Sequence, residues 1–301
     1  MARLQSASLL AFPQRRIGRM IRRQLFGDGA LDYAQPAGDP GLFGPDSVTW
    51  RVHANPVILA IGGVAAVILE LAEPRVRSGV WEHSTFRTDP LGRMQRTADA
   101  AMITTYGPTA AVERRIAMVN RMHERVRGST PEGQAYQAMD PELLTWVQVT
   151  AGYGFLNAYL RYVEPGLSPA DQDRYFAEAA AVGERFGTGA LPRTVAEVEQ
   201  LFAAMRPKLK PHPIIGEFLG LVERTSPVGL AGRAVQPLLV DAAVDLLPAW
   251  APLHLQITRP AIRLRAAQRL MRALAASARF APNEIVSQAR ARVGADDLRA
   301  A

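Results

Sequence analysis

Four dipeptides punctuate this chain: Asn55-Pro56, Asp89-Pro90, Asp140-Pro141 and Ser168-Pro169. In each, a short polar side chain able to cap an orphan amide precedes a residue that has no amide to waste. A helix start is thus written four times. Thr194 with Glu197 reads as a fifth, a capping box. Gly107, Gly128 and Gly187 stand where a left-handed residue ends a helix. The apolar periodicity between these marks predicts helices over 12–26, 45–53, 56–72, 90–106, 109–127, 141–163, 169–186, 195–206, 213–225, 233–247, 259–280 and 283–293. No run of alternating β-branched residues points to a sheet. The expected class is all-α, a single large helical domain with additional flanking helices.

Composition narrows the chemistry. Of 301 residues, 48% are hydrophobic and 21% charged, enough apolar material for a sizeable core and too much for a disordered chain. There is no cysteine, which excludes disulfides, thiolate metal sites, iron–sulfur clusters and a cysteine nucleophile. No segment reaches the ~18 apolar residues of a membrane span. The longest candidate, Pro56–Leu69, stops at Glu70. The short apolar run 7–12 precedes its arginines instead of following them, unlike a secretory signal. A cytoplasmic location is expected.

The net charge of +7 is concentrated at the two ends. Residues 1–30 hold six arginines against Asp28, and residues 259–301 hold nine against three acids. Helix 259–280 gathers Arg265, Arg269 and Arg272 on one side, with Ile262, Ala266, Leu270 and Leu274 on the other. Such basic helices either present a solvated face or touch an anionic membrane surface. Aromatic residues are only 7%, and no nucleic-acid-binding motif accompanies the basic ends, so no nucleic-acid partner is expected.

Five histidines remain as metal or proton-transfer candidates: His53, His83, His123, His212 and His254. None pairs at the spacing of a helical metal site, and no nucleophile elbow or phosphate-binding loop is present. Gly62-Gly63 and the Gly152/Gly154 pair suit close helix packing or room for a flat ligand. His123 falls within the apolar stripe Val112, Ile116, Val119, Met122 and Val126 of helix 109–127. A buried imidazole needs a partner, because an unpaired polar group in a core costs about 1–3 kcal/mol. Either His123 is a core histidine satisfied by its neighbours, or it is an axial ligand to a haem iron. Helix 90–106 could supply an opposing wall. Leu91, Met94, Ala98, Ala101 and Met102 face the core, and a second face carries Arg93, Thr97, Ala100 and Thr104.

The blocks GPDSVTWR (44–51), GVWEHSTF (79–86), DPLGRMQRT (89–97), YGP (106–108), MHERVRG (122–128) and DPELLTW (140–146) resemble the MpaB-type oxygenase family. That family includes the bacterial latex clearing (rubber) oxygenases and a fungal mycophenolate-pathway oxygenase. The resemblance implies a globin-like helical core holding haem b, with His123 as the proximal iron ligand and dioxygen as co-substrate. It divides the chain into a basic arm (1–35), a catalytic domain (36–250) and a basic helical extension packed on it (251–301). The family's R-x-x-K-T pattern falls on Arg93, Arg96 and Thr97. Arg96 departs from it, standing where rubber oxygenases carry a lysine able to ligate iron. An arginine has no free lone pair to offer.

The reading that results is a haem-dependent oxygenase acting on a small apolar organic substrate. Arg93 and Thr97 are the candidates to polarise bound oxygen or orient substrate, and with Arg96 to contact the cofactor. Glu82 is a candidate base, and His83 a candidate to orient a water or brace the loop before helix 90–106. Two other readings stay open: a haem sensor or carrier without turnover, and a helical protein on the same scaffold that rests on a membrane surface. The oligomeric state is not legible.

Overall fold

The structure, a computed structural model, describes residues 31–227, 232–278, 280 and 283–295; the expected helix 12–26 lies outside them. All five expected starts form. Asn55 accepts from the amide of Val57, Asp89 from Gly92, Asp140 from Glu142, Ser168 from Asp171 and Thr194 from Glu197. The elements run α1 (Val48–His53), α2 (Pro56–Ala72), α3 (Pro74–His83), α4 (Pro90–Tyr106), α5 (Thr109–His123), β1 (Arg127–Ser129), β2 (Ala135–Gln137), α6 (Pro141–Tyr162), α7 (Pro169–Gly183) and α8 (Val195–Met205). They continue as α9 (Pro213–Arg224), α10 (Gln236–Asp245), α11 (Ala251–His254), α12 (Ala261–Ala278) and α13 (Glu284–Arg292). Among the described residues the protein is all-α apart from one two-stranded hairpin, in which Gly128 sits opposite Tyr136.

The differences from expectation have local causes. Helix α3 was not foreseen because its cap is Glu73, whose longer side chain nevertheless accepts from the amide of Val76. Helix α5 ends at His123 rather than 127, because Arg127–Ser129 leaves to pair with Ala135–Gln137. Of the three glycine stops, only Gly187 is left-handed, with φ 86°. Gly107 has φ −67°, and a Cβ there would lie 2.5 Å from the carbonyl of Ile103. Gly128 sits within β1, where a Cβ would come 2.7 Å from the Tyr136 hydroxyl. Both glycines answer a close approach rather than a backbone turn.

The main core is built on α2 and α6. Gly62 and Gly154 let the two backbones touch, and a Cβ on Gly62 would lie 2.7 Å from the carbonyl carbon of Gly154. This close crossing sets the rest. Trp146 is fully buried beside it, with its indole N–H donating to the carbonyl of Leu69. Helices α9, α10 and α12 close the far side, and Ala267, Met271 and Ala275 of α12 belong to the same core. A second cluster joins Tyr33, Trp50, Leu59, Met102 and Tyr106 to Ile285 and Ala289 of α13. There Arg292 ties α13 to the segment before α1 by donating to the carbonyls of Tyr33 and Asp39. Among the described residues no single helix is long and apolar enough to cross a membrane.

Candidate active site

Helices α2 and α6 pack on each other, and α4 packs on α5, but neither α4 nor α5 packs broadly against the α2/α6 pair. Between the pairs, each helix leaves a row of half-buried side chains at helical spacing. These rows are Gly63, Val67 and Glu70 on α2; Met94, Ala98 and Ala101 on α4; Val119 and His123 on α5; Val147, Ala151 and Phe155 on α6. Their neighbours on the same helices, such as Ile61, Val64, Met102, Ile116 and Val149, are buried. We read these rows as the walls of a cleft between the pairs, small and apolar apart from Glu70 and His123. At Gly63 an added Cβ would meet only the edge of Phe155, at 3.9 Å.

Three charged or titratable groups share this cleft. Arg93 stacks over the ring of Phe86 at 5.1 Å and donates to the hydroxyl of Thr97, which in turn donates to the carbonyl of Arg93. Its charge acts on both Glu70 and His123. Burial pushes the Glu70 carboxyl up to about 7, against the opposing pull of Arg93 and the hydroxyl of Thr150. Burial, with Arg93 adding to it, holds the His123 imidazole below its ordinary value and therefore neutral.

His123 is the last residue of α5. Its Nδ1 is buried without a hydrogen-bond partner, as is Oδ1 of Asn120 one turn earlier. The expected stripe holds at Val112 and Ile116, which are buried, and weakens to half-burial at Val119 and Val126. Met122 does not belong to it, being 51% exposed. At about 100° per residue, His123 points within about 20° of Val112, whereas Met122 lies about 80° away at the edge of the arc.

The other sequence candidates lie differently. Arg96 is exposed and turns back to the start of α4, where it pairs with Asp89 at 3.2 Å and donates to the hydroxyl of Thr85 at 2.5 Å. Thr97, also exposed, serves as the anchor of Arg93. Glu82 and His83 stand exposed at the end of α3, joined through a phenol. Tyr136 donates to Glu82 at 2.8 Å and meets Nε2 of His83 at 3.2 Å. Burial and the Glu82 carboxylate push the Tyr136 hydroxyl up to about 12, and the trio fastens the hairpin to α3. His53 is a core histidine bonded to Thr105 and Tyr175. The carboxylate that does reach Arg93 is Glu70, which sequence reading used only as the end of an apolar run. A lone carboxylate closing that run was the available signal.

Among the described residues no three His, Asp or Glu side chains gather to hold a bare metal ion. Two surface grooves lie apart from the cleft, one of about 410 Å³ beside His212 and one of about 560 Å³ between Arg161 and Arg272.

The family described as "ER-bound oxygenase mpaB/B'/Rubber oxygenase, catalytic domain" matches residues 50–276. The chain belongs to this family. No curated protein and no solved structure matches it. The match to this family of oxygenase catalytic domains takes in α2, α4, α5 and α6, and so every residue of the cleft. It ends inside α12, whose buried face is part of the main core.

Proposed function

We propose that this protein is a haem b-dependent oxygenase that acts on a small apolar organic substrate with dioxygen as co-substrate. The observation that carries the reading is His123: a neutral imidazole at the lip of an apolar cleft, with its buried nitrogen unclaimed by any described residue. An iron porphyrin fits the residues present. Its ring asks for small and apolar walls, and its iron asks for one neutral nitrogen. His123 would hold the iron. The haem would supply dioxygen binding and the redox chemistry, which no side chain of this chain can provide.

The chain's own residues divide the remaining work. Arg93 keeps a fixed positive charge in the cleft, held in place by Thr97 and Phe86. It can pair with an anionic group of the cofactor or stabilise negative charge developing on oxygen, since preorganised donors are most effective where water is scarce. Glu70 can take up or release a proton at its carboxyl near neutral pH. Val67, Met94, Val147 and Phe155 give an apolar substrate its contacts and limit water. Arg96, engaged with Asp89 and Thr85, offers the iron no ligand. Arg96 would therefore not compete with dioxygen for the iron.

The test is an absorption spectrum of the protein loaded with haem, wild type beside His123→Ala. The wild type should show a Soret band that the variant lacks or retains only with much weaker haem affinity. No band in the wild type, or equal bands and affinities in both, would overturn the assignment. Oxygen uptake with a reductant and an unsaturated hydrocarbon then separates an oxygenase from a haem carrier.

A further inference from the structure

Helix α12 has one face in the core and one in water. Ala267, Met271 and Ala275 are buried, while Arg263 and Gln268 reach inward to Asp241 and Asp245 of α10. Both of those acids are already matched. Asp241 is fully buried between Arg259 and Arg263, and Asp245 also faces Arg161 at 3.3 Å. The outward face is Ile262, Arg265, Ala266, Arg269, Arg272, Ala273 and Ala276, so that Ile262 and Ala266, expected opposite the arginines, lie beside them instead. No acid occurs anywhere on the helix. Arg265, Arg269 and Arg272 are exposed and form no ion pair with any described residue.

Two large aliphatic side chains near the start of this helix in sequence are exposed. Ile262, on the first turn, is 77% exposed, and Leu253, one loop earlier, is 88% exposed. Water disfavours both side chains, and nothing among the described residues covers them. Arg272 also stands on the rim of the 560 Å³ groove, together with Arg161 and the apolar Leu160, Leu246 and Pro248. Cations beside uncovered aliphatics match the boundary of a bilayer, where phosphates meet acyl chains.

We propose that the outward face of α12, with Leu253 before it, docks on an anionic lipid bilayer. Three unneutralised arginines supply charge complementarity to acidic headgroups. The alanines between them let the helix lie close to the surface, and Ile262 and Leu253 enter the acyl boundary. A nucleic acid would satisfy the charge but leave the aliphatics in water. An acidic protein would do the same unless it also brought an apolar patch. The inference depends on neither the haem nor the family.

The test is co-sedimentation of the full chain with vesicles of phosphatidylcholine alone or mixed with phosphatidylglycerol, at low and high salt, with duplex DNA as a competing polyanion. Binding should require the anionic lipid and weaken at high salt. Replacing Arg265, Arg269 and Arg272 with glutamine should cost on the order of a hundredfold in partition, from the usual contribution of each surface arginine. Lysine at all three sites should restore it. Serine at Leu253 and Ile262 should weaken binding at both salt concentrations. All these positions are exposed, and an unchanged thermal melt confirms that each variant is folded. The proposal is overturned by absence of binding at low salt, by equal binding to phosphatidylcholine alone, by full binding of the glutamine variant, or by DNA displacing the vesicles.

Discussion

Glu70→Gln isolates the cost of keeping a carboxylate between α2, α4 and α6. Burial raises the Glu70 carboxyl from 4.5 to about 7. A shift of that size corresponds to roughly 3 kcal/mol between its two protonation states, and water reaching the half-buried side chain from the cleft makes this a ceiling. The folded state holds the proton more tightly than the unfolded one. The stabilising effect is therefore complete below the unfolded value of 4.5 and lost as pH rises through about 7. Glutamine mimics the protonated form at every pH. The variant should match the wild type near the lower value and exceed it by up to ~3 kcal/mol above the upper one, about 5 °C in melting temperature. The wild-type profile alone would conceal this, because His53 works in the opposite direction. Burial depresses its imidazole from 6.5 to about 3, so His53 destabilises the fold as pH falls through that interval. Only the difference between variant and wild type removes the shared His53 contribution. The assay is thermal or urea unfolding of the two apoproteins at several pH values across that range. Parallel profiles, or a glutamine variant less stable than wild type in mild alkali, would refute the account of Glu70.

Arg93→Gln should let the His123 imidazole titrate closer to its ordinary value, since Arg93 adds to the depression that burial begins. A nuclear magnetic resonance titration of the imidazole carbon-bound protons reads this, and a downward or absent shift would contradict the placement of Arg93. Gly154→Ala should destabilise the fold by at least ~1–3 kcal/mol through overpacking, because its methyl would have to enter the space of the Gly62 carbonyl oxygen. Its melting temperature should fall by several degrees, whereas the same change at Gly166, which has open space around it, should leave the core intact.

The helix starts were legible because capping is local: the cap oxygen, the missing proline amide and the satisfied donor lie within four residues. The same locality explains the miss at Pro74, where the pattern was present but glutamate is an unusual cap. The hairpin escaped because strands of three residues are too short to show alternation; Tyr136 packs onto Gly79 and Gly128 across the pair instead. His123 could be read from angle alone, since a helix fixes which residues share a stripe. Glu70 could not. Its raised proton affinity comes from burial, tempered by Arg93 across the cleft and by Thr150, eighty residues on in sequence, and packing alone brings all three about. Nor could the direction of Glu82 and His83 be read, because a linear block carries no orientation. They turn to Tyr136.

Two arginines three residues apart have opposite fates, and geometry decides which one serves the cleft. On a helix, positions three apart differ by about 60° in direction, so one side chain can look inward while its neighbour faces water. Arg93 finds an aromatic ring and a hydroxyl that fix it without cancelling its charge. Arg96 finds a carboxylate, Asp89, and is neutralised at the surface. A charge that is to act on a carboxyl and an imidazole at once must not be cancelled by a closer ion pair, because such a pair would leave only a dipole to reach them. Arg93 meets that condition. Burial already depresses the His123 imidazole and raises the Glu70 carboxyl; Arg93 adds to the first shift and limits the second. One unpaired cation thus acts on both groups, and its removal should disturb both together.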